Sequence, residues 1–334
     1  MTAIHIQGLG TYVPAKRITN DDLASRVETS DEWIVSRTGI KARHMLEDDE
    51  NGSDAGAKAA LRALEDAGLA PADITHVLTA TCTPDYLCPS TACVLSGKLG
   101  THGAMAFDLN AACTGFVYGL DVARGLLAGN PDAKILLVGS EAFTRRMNWN
   151  DRTTCILFGD GAAAVVMTNG DAGTPRACLP SAARLRDVQC GADGRQYRLL
   201  TVGGGTARDY RPGDPVQDDF YLQMQGREVF KLAVRSLSSV CADLLERNGL
   251  SLGDVDLFIP HQANLRIIEA VGDRLKLGAD KVFVNLDEYG NTSAASIPLG
   301  IGDACRQGRI RAGSRVLISA FGGGFTWGAA LLEF

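Results

Sequence analysis

The sequence predicts a duplicated α/β protein. Two observations carry that prediction: an internal repeat with a constant offset, and one order of elements that both copies follow. Residues 65–77 read EDAGLAPADITHV and residues 246–258 read ERNGLSLGDVDLF, which pairs Gly68 with Gly249 at an offset of 181 (249 − 68). Further on, KILLVGS from Lys134 resembles RVLISAF from Arg315, and Ile135 pairs with Val316 at the same offset of 181 (316 − 135). A constant offset at both ends is what duplication of a whole unit leaves behind. Each copy reads helix, Gly-ended turn, apolar strand, loop, helix, strand, small-residue helix, strand. The expected architecture is two sheets with helices between and around them, related by a pseudo-twofold axis, so that equivalent loops of the two halves converge. The first half spans 1–170, a loop-rich connection 171–220, and the second half 221–334. Within the connection, RLRDVQCGADGRQYRLLTVGGGTARDYRPGDPVQDD (184–219) has Gly, Pro, Asp and Arg clusters with little periodicity. It reads as an excursion positioned over the site.

Composition narrows the function. A chain of 334 residues is longer than one core usually serves, and 46% hydrophobic with 22% charged residues is the balance of an ordered globular protein. A net charge of −6 without any Lys/Arg run argues against nucleic acid as a partner. The longest apolar runs, such as KILLVGS and GAAAVVM, are too short to cross a bilayer, and the opening MTAIHIQGLGTYVP lacks the pattern of a signal peptide. Nine cysteines without a CxxC pair fit neither a disulfide scaffold nor a zinc site, and point to a reducing cytoplasm and no bound metal. The GLGTYVP segment lacks the third glycine and the acidic residue of a dinucleotide fingerprint.

Four segments can carry chemistry. Cys113 sits in FDLNAACTGFVYGL, between a strand and a helix. It is either a small packing residue or a nucleophile whose thiolate the helix N-terminus favours. Asn291, in YGNTSAASIP, lies in the equivalent loop of the second half, where it caps a helix or turns its amide into a cavity shared with Cys113. His261 follows the strand DVDLFIP and opens QANLRIIEAV, the place where open α/β sheets put their active groups, or else it caps that helix. The run FGGGFTWG (321–328) lets the backbone approach a substrate and offers N–H groups to an oxyanion; the plainer reading is a bulge. Together they supply a nucleophile, a base or donor, a second donor and an oxyanion site. Cys and His would also suit a protease, but papain-type and caspase-type surroundings are absent.

These segments resemble the β-ketoacyl-acyl carrier protein synthase III family of the thiolase superfamily, the initiating condensing enzymes of bacterial fatty acid synthesis. The resemblance runs nearly end to end through SDEWIVSRTGI (30–40), NAACTGFVYGL (110–120), FGDGAAAVV (158–166), GREVFKLAV (226–234), IPHQANLRIIEA (259–270), YGNTSAASIP and FGGGFTWGAA (321–330). It implies a thiolase-like fold layered α-β-α-β-α. It implies that Cys113 takes an acyl group from acyl-CoA, that His261 and Asn291 hold the malonyl thioester carbonyl during decarboxylation, and that the N–H groups of Cys113 and Gly323 form the oxyanion hole. Trp33, Arg37, Arg152 and Asn264 resemble the family's CoA-binding residues. Arg266 and Lys231 resemble the basic residues that dock the acidic carrier protein. The substrates implied are an acyl-CoA and malonyl-acyl carrier protein, with CoA thioester as substrate and no permanently bound cofactor, in a homodimer.

Two positions depart from the family pattern. Cys88 stands where well-studied members carry a phenylalanine that closes the acyl tunnel from the neighbouring subunit, so primers longer than acetyl are expected. Thr153 follows Arg152 where glycine is common. A rival with the same triad serves a specialised pathway, making a signal molecule, quinolone or polyketide starter. Rivals of another class are a non-catalytic acyl-CoA-binding protein, which would form no thioester, and a cysteine hydrolase, which would release free acid without malonyl substrate.

Overall fold

The structure, a computed structural model, describes residues 3–170, 177–204 and 220–334. The first half contains β1 (Ile4–Tyr12), β2 (Lys16–Thr19), α1 (Asn20–Ala24), α2 (Asp31–Thr38), β3 (Ala42–Met45), α3 (Gly52–Ala67), β4 (His76–Ala80), α4 (Thr91–Leu99), β5 (Met105–Leu109), α5 (Gly115–Gly129), β6 (Lys134–Glu141) and β7 (Gly161–Asn169). Then follow β8 (Ala183–Ala192), β9 (Leu200–Val202), β10 (Leu222–Met224), α6 (Gly226–Arg247), β11 (Leu257–Pro260), α7 (Leu265–Leu275), α8 (Leu286–Tyr289), α9 (Ser296–Arg306), β12 (Arg315–Gly322) and β13 (Thr326–Glu333).

The repeat is visible residue by residue. Adding 181 to the bounds of β6 gives those of β12, and adding it to the first residue of β4 gives that of β11. The same holds for short 3-10 turns at Pro71–Asp73 and Leu252–Asp254, each closed by an aspartate, Asp73 or Asp254, that accepts from the backbone N–H of Ala70 or Ser251. It holds again for the turns Ala112–Thr114 and Ser293–Ala295 that lead into α5 and α9. The residue equivalent to Cys113 is therefore Ala294, and Asn291 lies three positions before it, on the approach to the turn.

In strand order the sheet reads β11-β12-β13-β8-β1-β7-β6-β4-β5. β4 runs parallel to β5 and β6, whereas β7 is antiparallel to β6 and β1; β11, β12, β13 and β8 repeat that arrangement. Two separate sheets were expected. Instead the two wings join through a two-residue pairing of β1 with β8, His5 with Arg184 and Ile6 with Ala183. α5 packs on strands of both wings, as does α9, so these two helices form the middle layer. α3 and α4 cover the outer face of one wing, α6 and α7 that of the other. Three buried clusters fill the gaps, with Phe116, Leu120 and Ile301 in the middle, Ala59 and Leu95 under α3, and Leu244 and Val271 under α6. The layering is thus α-β-α-β-α.

The connection is less irregular than its composition predicts. All but the first residue of β8 falls within 184–219, and the strand holds in the second wing the place that β1 holds in the first, so the second set of strands begins at residue 183 rather than 221. Its Gly, Arg and Gln residues obscure the strand because one side pairs with β13 while its side chains are only partly buried. Residues 205–219 lie outside the described residues.

β1 can sit against α3 because it has no side chains at two points. A Cβ at Gly10 would lie 2.1 Å from the carbonyl oxygen of Ala59, and one at Gly8 2.3 Å from that of Ala63. Both obstacles are helix backbone, which cannot rotate away. Gly10→Ala is expected to lower stability by about 2–3 kcal/mol, the scale of overpacking a tight contact. A urea denaturation midpoint equal to that of the parent would contradict this.

Candidate active site

The Cys113 turn is built by a backbone that has no room to spare. Ala112 takes φ 49°, and its counterpart Ser293 takes the same φ 49°. Left-handed backbone is uncommon for residues that carry a Cβ, and here it turns each chain sharply from strand end into helix. A Cβ on Gly322 would come 2.7 Å from the Cys113 nitrogen. Thr326 Oγ1 donates to the Ala111 carbonyl at 2.8 Å, stitching the glycine run onto the same turn. Gly323 and Cys113 consequently line one cavity of about 190 Å³, with Cys82, Phe143, Phe158, Leu200 and Leu222 among its walls.

A second cavity, of about 640 Å³, also reaches Cys113. His261 and Asn291 line it, along with Trp33, Arg37, Asn264 and Arg266 nearer its mouth. The nucleophile candidate thus stands between a small apolar cavity and a large channel. Leu200, on the β9–β10 ribbon, borders both, which places part of the excursion over the site.

Both polar partners are held as donors. Ser293 N–H donates to Asn291 Oδ1 at 2.8 Å, which leaves the Asn291 Nδ2 hydrogens for the cavity. His261 Nδ1 lies 2.6 Å from Ser296 Oγ, and Gln262 N–H reaches that same oxygen at 3.4 Å. Ser296 Oγ accepts from the backbone, and with its hydroxyl proton turned to Nδ1 the imidazole proton sits on Nε2. Burial pushes the His261 pKa down to about 3, so the ring is a neutral donor. Burial also acts on the thiol. It pushes Cys113 up to about 12, with the neighbouring Ser293 side chain lowering it and Glu141 raising it further. The helix terminus favours the thiolate, but in this dry turn desolvation outweighs it and raises the thiol pKa.

The remaining expected residues separate into two groups. Trp33 and Arg37 lie one turn apart on α2, and the guanidinium carbons of Arg37 and Arg152 lie 4.4 and 5.1 Å from the Trp33 ring centroid. Asn264 caps α7, accepting from Arg266 N–H at 2.9 Å, and its Nδ2 donates to the Arg37 carbonyl. Arg266 donates to the Ser36 carbonyl, and Thr153 lines the large cavity. Lys231 is on exposed α6, paired with Glu228 at 2.9 Å, and Cys88 is exposed before α4. Neither borders the cavities that reach Cys113. Ser293, Ser296 and Glu141 were missed by sequence reasoning. Ser293 and Ser296 stand in plain view within GNTSAAS, and a carboxylate ending the apolar strand KILLVGSE was the signal for Glu141. Among the described residues no group of three or more His, Cys, Asp or Glu side chains could hold a metal ion, and no helix is long and apolar enough to cross a membrane.

Known proteins are similar to this chain in sequence and fold. Residues 107–194 match the family model for 3-oxoacyl-[acyl-carrier-protein] synthase III, and residues 245–334 match that of its C-terminal part. A β-ketoacyl-[acyl-carrier-protein] synthase III of Nitratidesulfovibrio vulgaris (strain Miyazaki F) is 58% identical over 99% of this chain and 98% of its own. The crystal structure of the Thermus thermophilus synthase III superposes with a TM-score of 0.89 at 42% identity, covering 98% of both chains. The priming β-ketosynthase of the R1128 polyketide pathway superposes at 0.88 with 33% identity over 99% of this chain and 96% of its own.

The histidine state has a direct test. An unfolded imidazole takes a proton near 6.5 while His261 resists protonation down to about 3, so acidification across that window destabilises the fold. NMR titration of the His261 ring is expected to show the neutral Nε2–H tautomer throughout pH 8 to 5. An inflection between pH 6 and 7 would contradict the buried-donor geometry.

Proposed function

The chain belongs to the 3-oxoacyl-[acyl-carrier-protein] synthase III family, an acyltransferase family of condensing enzymes, and on that footing we propose how its site works. Cys113 takes the acyl group of an acyl-CoA as a thioester, releasing CoA. Malonyl-acyl carrier protein then enters the large cavity, His261 Nε2–H and Asn291 Nδ2–H donate to its thioester carbonyl oxygen, and loss of carbon dioxide leaves an enolate held by two neutral donors. The enolate carbon attacks the acyl-cysteine to give 3-oxoacyl-acyl carrier protein, the first step of fatty acid synthesis. The observation that carries this reading is the pairing of two fixed donors with a thiol at the junction of two cavities. A cationic histidine would hold the malonyl carboxylate; a neutral one is matched to a developing oxyanion.

The cavities divide the substrates. The small one takes the primer, with the N–H groups of Cys113 and Gly323 as its oxyanion donors. Its volume of about 190 Å³ holds about six water-sized groups at about 30 Å³ each, which fits primers longer than acetyl but short of a long chain. The stacked rings of Phe143 and Phe158, with centroids 4.8 Å apart, border it. The large cavity takes pantetheine past Asn264, with the CoA adenine between Trp33 and Arg152 and its phosphates near Arg37; the adenine displaces the Arg152 guanidinium from the ring. CoA is a substrate here, and the proposed chemistry calls for no resident cofactor.

Carrier-protein docking is assigned to Arg266 at the mouth and Lys231 on α6, whose neighbours Arg227 and Arg235 extend the basic face at four-residue spacing. A homodimer is supported by the open edge of β5, with Met105 exposed on it and Tyr86 and Leu87 exposed nearby. Cys88 sits in that same exposed region, where it would face the primer cavity of a second copy. The nine free thiols fit a cytoplasmic setting.

Intact-protein mass spectrometry tests this reading. With acyl-CoAs of two to ten carbons, Cys113 is expected to gain the acyl mass for short primers and lose it on addition of malonyl-acyl carrier protein. Asn291→Ala is expected to acylate yet condense roughly 100-fold more slowly, the scale of one lost oxyanion donor. A thioester that malonyl-acyl carrier protein never discharges would contradict the roles of His261 and Asn291.

A further inference from the structure

Near Cys113 lies a fully buried carboxylate held by several donors. Glu141, the last residue of β6, receives Thr83 Oγ1 at 2.6 Å, Ser293 Oγ at 2.9 Å, Thr81 Oγ1 at 3.3 Å and Cys82 N–H at 3.2 Å. Thr83 Oγ1 accepts Ala142 N–H at 2.8 Å, and Thr81 Oγ1 accepts Thr83 N–H at 3.0 Å, which leaves each hydroxyl proton available to Glu141. The surround aims its donors at a carboxylate: burial raises the Glu141 pKa above its ordinary value, and these donors offset part of that rise.

Ser293 sits between that anion and the nucleophile. Its hydroxyl donates to Glu141 at 2.9 Å, and the same side chain lies beside both thiols, 4.0 Å from Cys82 Sγ and close enough to Cys113 to act on its ionisation. The titratable groups around the chain of contacts are Cys82 from the loop after β4, Cys113, and His261, which is neutral across the cavity. Cys82 reaches Glu141 Oε1 at 3.5 Å and Ser293 Oγ at 4.0 Å.

Building on the acyl-cysteine reading above, we propose that Ser293 and Glu141 form a proton relay that accepts the Cys113 thiol proton during acylation and returns it when condensation frees the sulfur. As the sulfur attacks the primer carbonyl, its proton passes to Ser293 Oγ while the Ser293 proton passes to Glu141. The new S–C bond forms, the C–S bond to CoA breaks, CoA leaves as the thiolate and takes a proton from water, and Glu141 is left as the acid. In condensation the enolate carbon bonds to the acyl carbon and the Cys113 C–S bond breaks. Glu141 then protonates Ser293, and Ser293 protonates the departing sulfur. The cycle restores thiol and carboxylate, and consumes one solvent proton for each CoA released. Glu141 acts through Ser293, as a positioning residue that fixes the direction in which the proton leaves.

The test is the rate of Cys113 acylation by acetyl-CoA in the full-length protein, followed by quenched-flow mass spectrometry from pH 6 to 10. Ser293→Ala keeps the backbone N–H that holds Asn291 and removes only the relay hydroxyl; Glu141→Gln removes the acceptor. Both are expected to acylate at least 10-fold more slowly than wild type at pH 7, with the deficit closing toward pH 10 as hydroxide removes the proton directly. Glu141→Asp is expected to recover part of the rate. An acylation rate equal to or above wild type at pH 7 would overturn the relay, because removing a negative charge beside the thiol would then have only eased its ionisation. A deficit that stays constant across pH would also overturn it, marking a framework role. Failure of wild-type Cys113 to take an acyl group would instead strike the acyl-cysteine reading itself.

Discussion

The site depends on backbones approaching more closely than side chains allow. Gly322 packs on the Cys113 nitrogen, a Cβ on Gly115 would lie 3.0 Å from that of Ala80, and a Cβ on Gly139 would lie 2.9 Å from the Ala294 carbonyl oxygen. These glycines sit at the C-terminal ends of the central strands and at the start of α5. They let the turn before α5, the turn before α9 and the glycine run after β12 meet at one point. Two copies of one unit, related at an offset of 181, place the two turns symmetrically, and small residues close the remaining distance.

Having met there, the groups are governed by dryness. The same loss of water that holds the Cys113 thiol protonated keeps His261 neutral and strengthens every hydrogen bond aimed into the cavity. A resting thiol is stable but unreactive, so a buried acceptor for its proton has a purpose that an exposed cysteine would not require. Ser293 connects both sides of this logic: its backbone N–H holds Asn291 Oδ1 and its hydroxyl donates to Glu141. In the relay proposed above, one residue with a positive φ thus serves both half-reactions.

Much of this was legible in the sequence for physical reasons. Duplication preserves spacing, so the repeat announced the wings and the middle-layer helices. Cys113, His261, Asn291 and the glycine run stood at strand ends, where a backbone must turn and active groups are presented. Less legible was β8, whose polar composition hides a strand recognised only through its pairing with β13. The burial of Cys113 was less legible, because helix polarity can be read from order along the chain, whereas desolvation depends on how two halves close over each other. Glu141 is 152 residues from Ser293, and nothing in local sequence reveals that contact. The joined sheet, likewise, rests on two residue pairs that a strand pattern cannot express.

The most direct test of close approach is Gly139→Ala. Its Cβ would press on the Ala294 carbonyl and shift the turn that carries Ser293 and Asn291 relative to Cys113. Displacements of about an ångström at a reacting centre cost on the order of 100-fold in rate. The measurement is the single-turnover rate of condensation from pre-acylated enzyme, with circular dichroism to confirm a folded chain. A folded variant with condensation slowed 10-fold or more is the predicted result. A folded variant that condenses at the parent rate would show that the convergence of the two turns does not depend on this contact.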